Sequence, residues 1–441
     1  MEHGSTARKS EHRDVVMQVL RAALDAADPH RAVLNSLQTR DLSHVTGDIY
    51  VLGAGKAGAA MSRAAEEVLG ERLAGGLVIV KDGHTGDEPL ERIELVEASH
   101  PVPDQRGVAA TGRLLEMAER AGENDLVLCL ISGGGSALMP APSDGLTLED
   151  IQQTTQALLR AGATINELNA VRKHLSRISG GRLARAASPA RVLSLILSDV
   201  TASPLDVIAS GPTAPDPTTF QDALGVLARY GLSHDVPAPI LTRLLAGVRG
   251  DLDETPKPDD PLFARVENVS VASNVIAVEA AAAKAAEFAF NTAIMSTYIE
   301  GEASEVGRVL AGVAKEIASY DRPIARPGCV LFGGETTVTV RGNGVGGRNT
   351  ELALSAAAGI NGMGPGVLIA SLATDGGDGS SPSAGAIVDG TTIAEGEAQG
   401  LDHEAALADN DSYTYLSRVG DALMLGPTGT NVNDVMAVFV F

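Results

Sequence analysis

Short apolar runs that stop at glycine-rich turns recur along this chain, and this pattern limits its fold more than any other feature. Ile49-Tyr50-Val51-Leu52 runs into Gly53-Ala54-Gly55-Lys56-Ala57-Gly58, and helical spacing follows through Leu69. Asp125–Ile131 is an apolar run that meets Ser132-Gly133-Gly134-Gly135-Ser136-Ala137. Cys329-Val330-Leu331-Phe332 meets two glycines, and the alternating Thr337-Val338-Thr339-Val340 predicts a strand before the loop Gly342–Gly347. Strand, glycine turn and helix in succession begin βαβ units. The expected class is therefore α/β, with turns past the carboxyl ends of strands, where such sheets bind ligands.

The side chains in these turns narrow the ligand. Lys56 puts a compact positive charge where a helix N-terminus already favours anions. A dinucleotide site would keep that position small for close backbone approach. Ser132, Gly133, Gly134, Gly135 and Ser136 combine bare N–H groups with hydroxyls, which suits a phosphate chain. No Lys-Ser/Thr pair follows the glycines, so this is not a P-loop. Gly346 and Gly347 precede Arg348-Asn349 and an Ala/Leu-rich helix, a second place where backbone donors and a guanidinium can meet phosphate or carboxylate. Arg172, Lys173, Arg177 and Arg182 form the densest cationic cluster, and helical spacing puts Asn169 and Arg172, or Lys173 and Arg177, on one face. Asp199 ends the strand predicted at Val192–Leu197; there it can hold Mg2+, accept a hydroxyl proton or cap the next segment. Asp375 and Asp378 in Asp-Gly-Gly-Asp-Gly read as a metal or hydroxyl site, or as an Asx turn.

Composition removes other classes. The formal charge is −22, which repels nucleic acid but leaves room for a small anionic substrate in a locally positive pocket. Two cysteines, Cys129 and Cys329, are no disulfide framework, and each sits in an apolar run as a small core residue; a reducing, cytoplasmic setting is expected. No apolar signal core opens the sequence and no run is long enough to span a bilayer. The stretch RGDLDETPKPDDPL, from Arg249 to Leu262, lacks periodicity and reads as a linker. The expected domains are thus 1–248, a linker at 249–266, and 267–441, with a small anionic ligand in a cleft between the two domains.

Taken in order, GAGKAG, SGGGSAL, NAVRKHLS, SDV…PLDVIASGPT, GGETTVTV, GGRN, TDG, NDSY and GPTGTNVND resemble the glycerate 2-kinase family from about Ile49 to the C-terminus. The resemblance implies a Rossmann-like or flavodoxin-like N-terminal domain and a smaller mixed α/β C-terminal domain called MOFRL. It implies phosphorylation of D-glycerate at the 2-hydroxyl with ATP and Mg2+, giving 2-phosphoglycerate. The family's lysine and arginine fall on Lys56 and Arg348, which with Asp199 form the expected catalytic set. They would neutralise the transferred group or clamp the glycerate carboxylate. Ser132–Ser136, Gly346 and Gly347 would cradle phosphates; Arg172, Lys173, Asn349 and Asp375 would bind substrate; Asp199, Asp375 and Asp378 would hold metal. A small sugar acid is the expected partner, a homodimer is compatible, and neither nucleic acid nor membrane is expected. Some family members carry a hydroxypyruvate reductase label, which keeps an NAD(P)H-dependent reading open, as does a catalytically altered anion-binding module. Two family acids are missing, one at Ser203 and one within Ser381-Pro382-Ser383.

Overall fold

The computed structural model describes residues 2–86, 89–200 and 204–441, with side chains from residue 9 onward. Two α/β units result. One is Pro29–Val271; the other is Met1–Asp28 with Ala272–Phe441.

The first unit is built on strands β1 (Ile49–Ala54), β2 (Leu73–Lys81), β3 (Ile93–Ala98), β4 (Leu126–Ile131), β5 (Arg191–Leu197) and β6 (Val266–Ala272). Their order is β3-β2-β1-β4-β5-β6, and β1 runs parallel to both β2 and β4. This is the Rossmann order, with its direction of winding reversed between β1 and β4. Every residue of β4 is buried. A strand covered on both faces has no use for polar alternation, which is why it reads as one apolar run. Cys129 lies in that run, and burial pushes its thiol up to about 12.

The second unit carries β7 (Asn291–Ile299), β8 (Gly328–Gly334), β9 (Gly364–Ala373), β10 (Gly385–Gly390), β11 (Ala422–Leu423) and β12 (Asp434–Val440). Their order is β11-β10-β9-β12-β8-β7. β12 is antiparallel to both β8 and β9, whereas β7 and β8 are parallel, so the sheet is mixed. Burial also raises the thiol of Cys329 in β8.

Three sequence expectations differ from this architecture. The helix Glu2–Ala26 belongs to the second unit, not to a domain running 1–248. Its apolar residues Val16, Val19, Leu20 and Ala23 are fully buried, and Arg13 pairs with Asp421 while Lys9 reaches Glu395 at 2.7 Å. The segment expected as a linker is packed into the first unit: Thr255 is buried and donates to Asp216 Oδ2 at 2.9 Å. Thr337–Val340 forms no strand; only Thr337 bridges, to Glu302. Its threonines instead tie a loop to the Gly301–Glu302 turn, with Thr337 Oγ1 donating to Gly301 O at 3.3 Å and Thr339 Oγ1 to Glu302 Oε2 at 2.8 Å. Ser203 lies outside the described residues. Among the described residues, no helix is long and apolar enough to cross a membrane.

Candidate active site

At the switch point of the first unit, the turns after β1 and β4 are fastened to each other. The Lys56 N–H donates to Gly133 O at 2.9 Å, and the Ala57 N–H donates to Ser132 Oγ at 3.1 Å. Glycine is required where they touch. A Cβ on Gly55 would lie 2.0 Å from Ser132 Oγ, and one on Gly133 would lie 2.0 Å from Asp199 Oδ2. Gly134 has a φ of 86°, the left-handed region that glycine enters freely. The Ser132–Ser136 turn is therefore a tight backbone curve, and the Asp199 carboxylate rests against it.

The donors of this turn are available. Among the described residues, the N–H groups of Gly133, Gly134 and Ser136 have no hydrogen-bond partner. Lys56 Nζ is likewise without a hydrogen bond or ion pair. Its chain passes close to Gly134, where an added Cβ would lie 3.5 Å from Lys56 Cε and 3.1 Å from His100 Nε2. Burial holds the His100 imidazole below its ordinary range, and the charges of Lys56 and Lys81 and the neighbouring His84 push the same way. His100 is thus neutral at neutral pH. In the sequence His100, like His84, reads as a ligand or base at a strand end, but a lone histidine in a Pro-rich turn favours a structural role.

A cavity of about 760 Å³ opens beside this turn. Gly134, Gly135, Ser136, Asp199 and Arg172 are among its lining residues. Arg172 is half-buried and has no hydrogen-bond or ion-pair partner among the described residues; burial lowers its pKa from the ordinary value, yet a guanidinium stays charged. Ser136 Oγ and Ser210 Oγ are 2.8 Å apart, and Ser210 Oγ donates to Asn169 Oδ1 at 3.0 Å, so one polar chain ties the turn to the Ile165–Leu175 helix. Lys173, on the same helix, does not join Arg172. It is buried and donates to Asp206 Oδ2 at 3.1 Å and Asp216 Oδ1 at 3.4 Å. One residue of helical rotation separates a cation facing the cavity from a cation holding the interior together.

In the second unit, Arg348 stands at the start of the helix Arg348–Ile360. It grips Asp434 in both directions, Nε to Oδ2 at 2.6 Å and Nη2 to Oδ1 at 2.9 Å, and Nη1 lies 2.9 Å from Glu335 Oε1. Burial raises the Asp434 carboxyl to about 6, against the pull of Arg348. Asp378 is buried and does not suit a metal ion. Its Oδ1 accepts from the Asn349 N–H at 2.9 Å, and its Oδ2 accepts from the Thr350 N–H at 2.8 Å and Thr350 Oγ1 at 2.7 Å. It satisfies the orphan donors of the helix instead. Asn349 is buried beside it and accepts from Ser371 Oγ at 2.6 Å. Asp375 is exposed and accepts from the Gly377 N–H at 3.0 Å, an Asx turn.

The Gly342–Gly347 loop also differs from its expected role. Its donors already have partners: Gly342 donates to Asn410 Oδ1, Asn343 to Asp409 Oδ1, Gly344 to Asp409 O, and Val345 to Asp411 Oδ1. Gly346 donates to Ser380 Oγ and Gly347 to Thr350 Oγ1. A Cβ on Gly347 would lie 2.4 Å from Asp378 C, so glycine serves close packing there. Among the described residues, no three His, Cys, Asp or Glu side chains converge to hold a metal.

The chain matches the family described as "Domain of unknown function (DUF4147)" over residues 15–245 and the MOFRL family over residues 328–434. It is 44% identical to D-glycerate 2-kinase of Thermotoga maritima, over 96% of this chain and 97% of that protein. It is 42% identical to glycerate 2-kinase of Pyrococcus horikoshii, over 97% of each. A relative from Agrobacterium vitis, 43% identical over 97% of this chain and 94% of its own, bears a hydroxypyruvate reductase name. The crystal structure of the Thermotoga maritima glycerate kinase superposes with a TM-score of 0.90 at 42% identity, covering 98% of this chain and 100% of that one. Switch-point turns, MOFRL segment and near-complete alignment agree: this chain belongs to the glycerate 2-kinase family.

Proposed function

We propose that this protein transfers a phosphoryl group from ATP to the 2-hydroxyl of D-glycerate, giving 2-phosphoglycerate and ADP. One observation carries the reading: in a chain of net charge −22, Lys56 and Arg172 are both left without a carboxylate partner among the described residues, beside a turn with three unbonded N–H groups. Such an arrangement attracts a polyanion of small size and offers directional donors to its oxygens.

Phosphoryl transfer depends on positioning and charge neutralisation more than on covalent help from the protein. The Gly133, Gly134 and Ser136 N–H groups orient phosphate oxygens, and Lys56 opposes the charge on the group in transfer. Asp199 lies against Gly133 with its carboxylate facing the same cavity. Magnesium binds through one or two carboxylates plus phosphate oxygens, and supplies charge neutralisation when bound; Asp199 fits that donor set, whereas Asp378 does not. His100, neutral and next to Gly134, can accept the proton leaving the glycerate hydroxyl. Arg348 is retained as an anion-binding group of the second unit, held in one orientation by Asp434.

Incubation with ATP, Mg2+ and a panel of small sugar acids, with the product identified by NMR, tests the reading. Phosphorylation at the 2-position of D-glycerate is expected; no phosphorylated acid from any member of the panel overturns it. The reductase reading rests on the relative's name and calls for oxidation of NADH or NADPH by hydroxypyruvate, followed by absorbance.

A further inference from the structure

The cavity beside the Ser132–Ser136 turn is much larger than a small hydroxy acid and its phosphoryl group require. At about 760 Å³ it lies in the upper part of the range for sites that enclose whole drug-sized ligands, about 300–1,000 Å³. Its lining is of two kinds. Gly134 and Ser136, whose N–H groups are unbonded, join Ser210, Asp199 and Arg172 as the polar part. Val102, Met139, Pro142, Ile151, Leu159 and Ile165 make up the apolar part. Three of those residues are among the large apolar side chains most open to solvent, Val102 at 59%, Leu159 at 58% and Ile165 at 51%. An apolar lobe left exposed in this way, continuous with a phosphate end, gains from a flat, partly apolar ligand group.

Resting on the kinase reading above, we propose that this lobe is the seat of the purine base of the phosphoryl donor, and that Arg172 bridges base and triphosphate ends by binding a phosphate. The Leu148–Arg160 helix forms one wall. It is fastened to the Pro101–Pro103 turn by Gln152, whose Nε2 donates to Pro103 O at 2.8 Å. That bond sets the width of the slot. The Gln156 amide, also on the cavity wall, is free to pair with the polar edge of a base, since among the described residues it has no hydrogen-bond partner. The donor is thereby selected by its base as well as its phosphates, and the acid acceptor takes no part of this lobe.

The test is calorimetry on the full chain with ADP–Mg2+ and, separately, inorganic tripolyphosphate, for wild type and for the double variant Leu159→Gln/Ile165→Gln. Both side chains are mostly solvent-exposed, so the fold should persist, which thermal melting checks. Expected is a tenfold or greater loss of ADP affinity with tripolyphosphate binding unchanged. In turnover assays, KM for ATP should rise by a similar factor and KM for D-glycerate should stay within twofold. An Arg172→Gln variant should weaken both ADP and tripolyphosphate. If ADP affinity is unchanged in the double variant, or falls in step with tripolyphosphate, the base lies elsewhere and the proposal is overturned while the kinase reading stands. If wild type binds no ADP, both fall together; if it binds ADP but phosphorylates no acid, only the kinase reading falls.

Discussion

Lys56 and Arg348 look equivalent in the sequence, two cations at glycine-rich turns, but their surroundings separate them. Among the described residues Lys56 has no partner to abandon, so Lys56→Ala should leave stability within about 0.5 kcal/mol and cut kcat by about a hundredfold or more, the usual effect of removing one transition-state charge. Steady-state kinetics with a urea titration reads both. Arg348→Ala, by contrast, strands the buried Asp434 carboxylate, and a loss of about 3–5 kcal/mol is expected alongside any loss of turnover. Asp434 also sets a pH dependence. Its folded pKa, about 6, lies above the unfolded value of about 3.9, so between those pH values the folded state holds the extra proton. Wild type should therefore gain stability relative to Asp434→Asn as pH falls from about 6 to about 4. Turnover should fall over the same interval, because a neutral Asp434 loosens its two-pronged grip on Arg348; melting and rate profiles for the two proteins check each sign. Lys56 was legible because its turn is local. The fate of Lys173 was not, since its neighbours Asp206 and Asp216 come from distant parts of the chain.

Elements show the same division. Strand followed by glycine turn was readable at β1, β4 and β8 because a doubly covered strand must be apolar and its turn must be bare. What each turn does was not readable. The loop before Arg348 and the turn after β4 are alike in composition, yet the first has its N–H groups occupied by Asp409, Asn410 and Asp411, a segment 66 to 68 residues away in sequence. Asp378 illustrates the consequence. As a helix cap with several buried bonds it should matter for stability: Asp378→Ala is expected to cost about 2 kcal/mol or more in urea unfolding. The Mg2+ concentration giving half-maximal rate should not change, and a large shift would restore Asp378 as a metal ligand.

At the scale of the whole molecule, the two sheets were anticipated and the partition of the chain between them was not. Periodicity marks Asp14–Ala27 as an amphipathic helix, but nothing local says which sheet buries its apolar side. It lies with the second unit, where Val16, Val19, Leu20 and Ala23 become inaccessible. Removing residues 2–27 should therefore lower the melting temperature of the second unit and leave the Pro29–Val271 unit, expressed alone, folded by circular dichroism; an unfolded Pro29–Val271 fragment would contradict this. The same topology bears on synthesis. A helix translated early must wait for the Asn274–Glu287 helix, for β9 and finally for β12, all translated much later, before its oily side is sheltered. Throughout elongation it remains an adhesive surface for chaperones, and the Rossmann-order sheet matures ahead of it as a finished insert within an unfinished host.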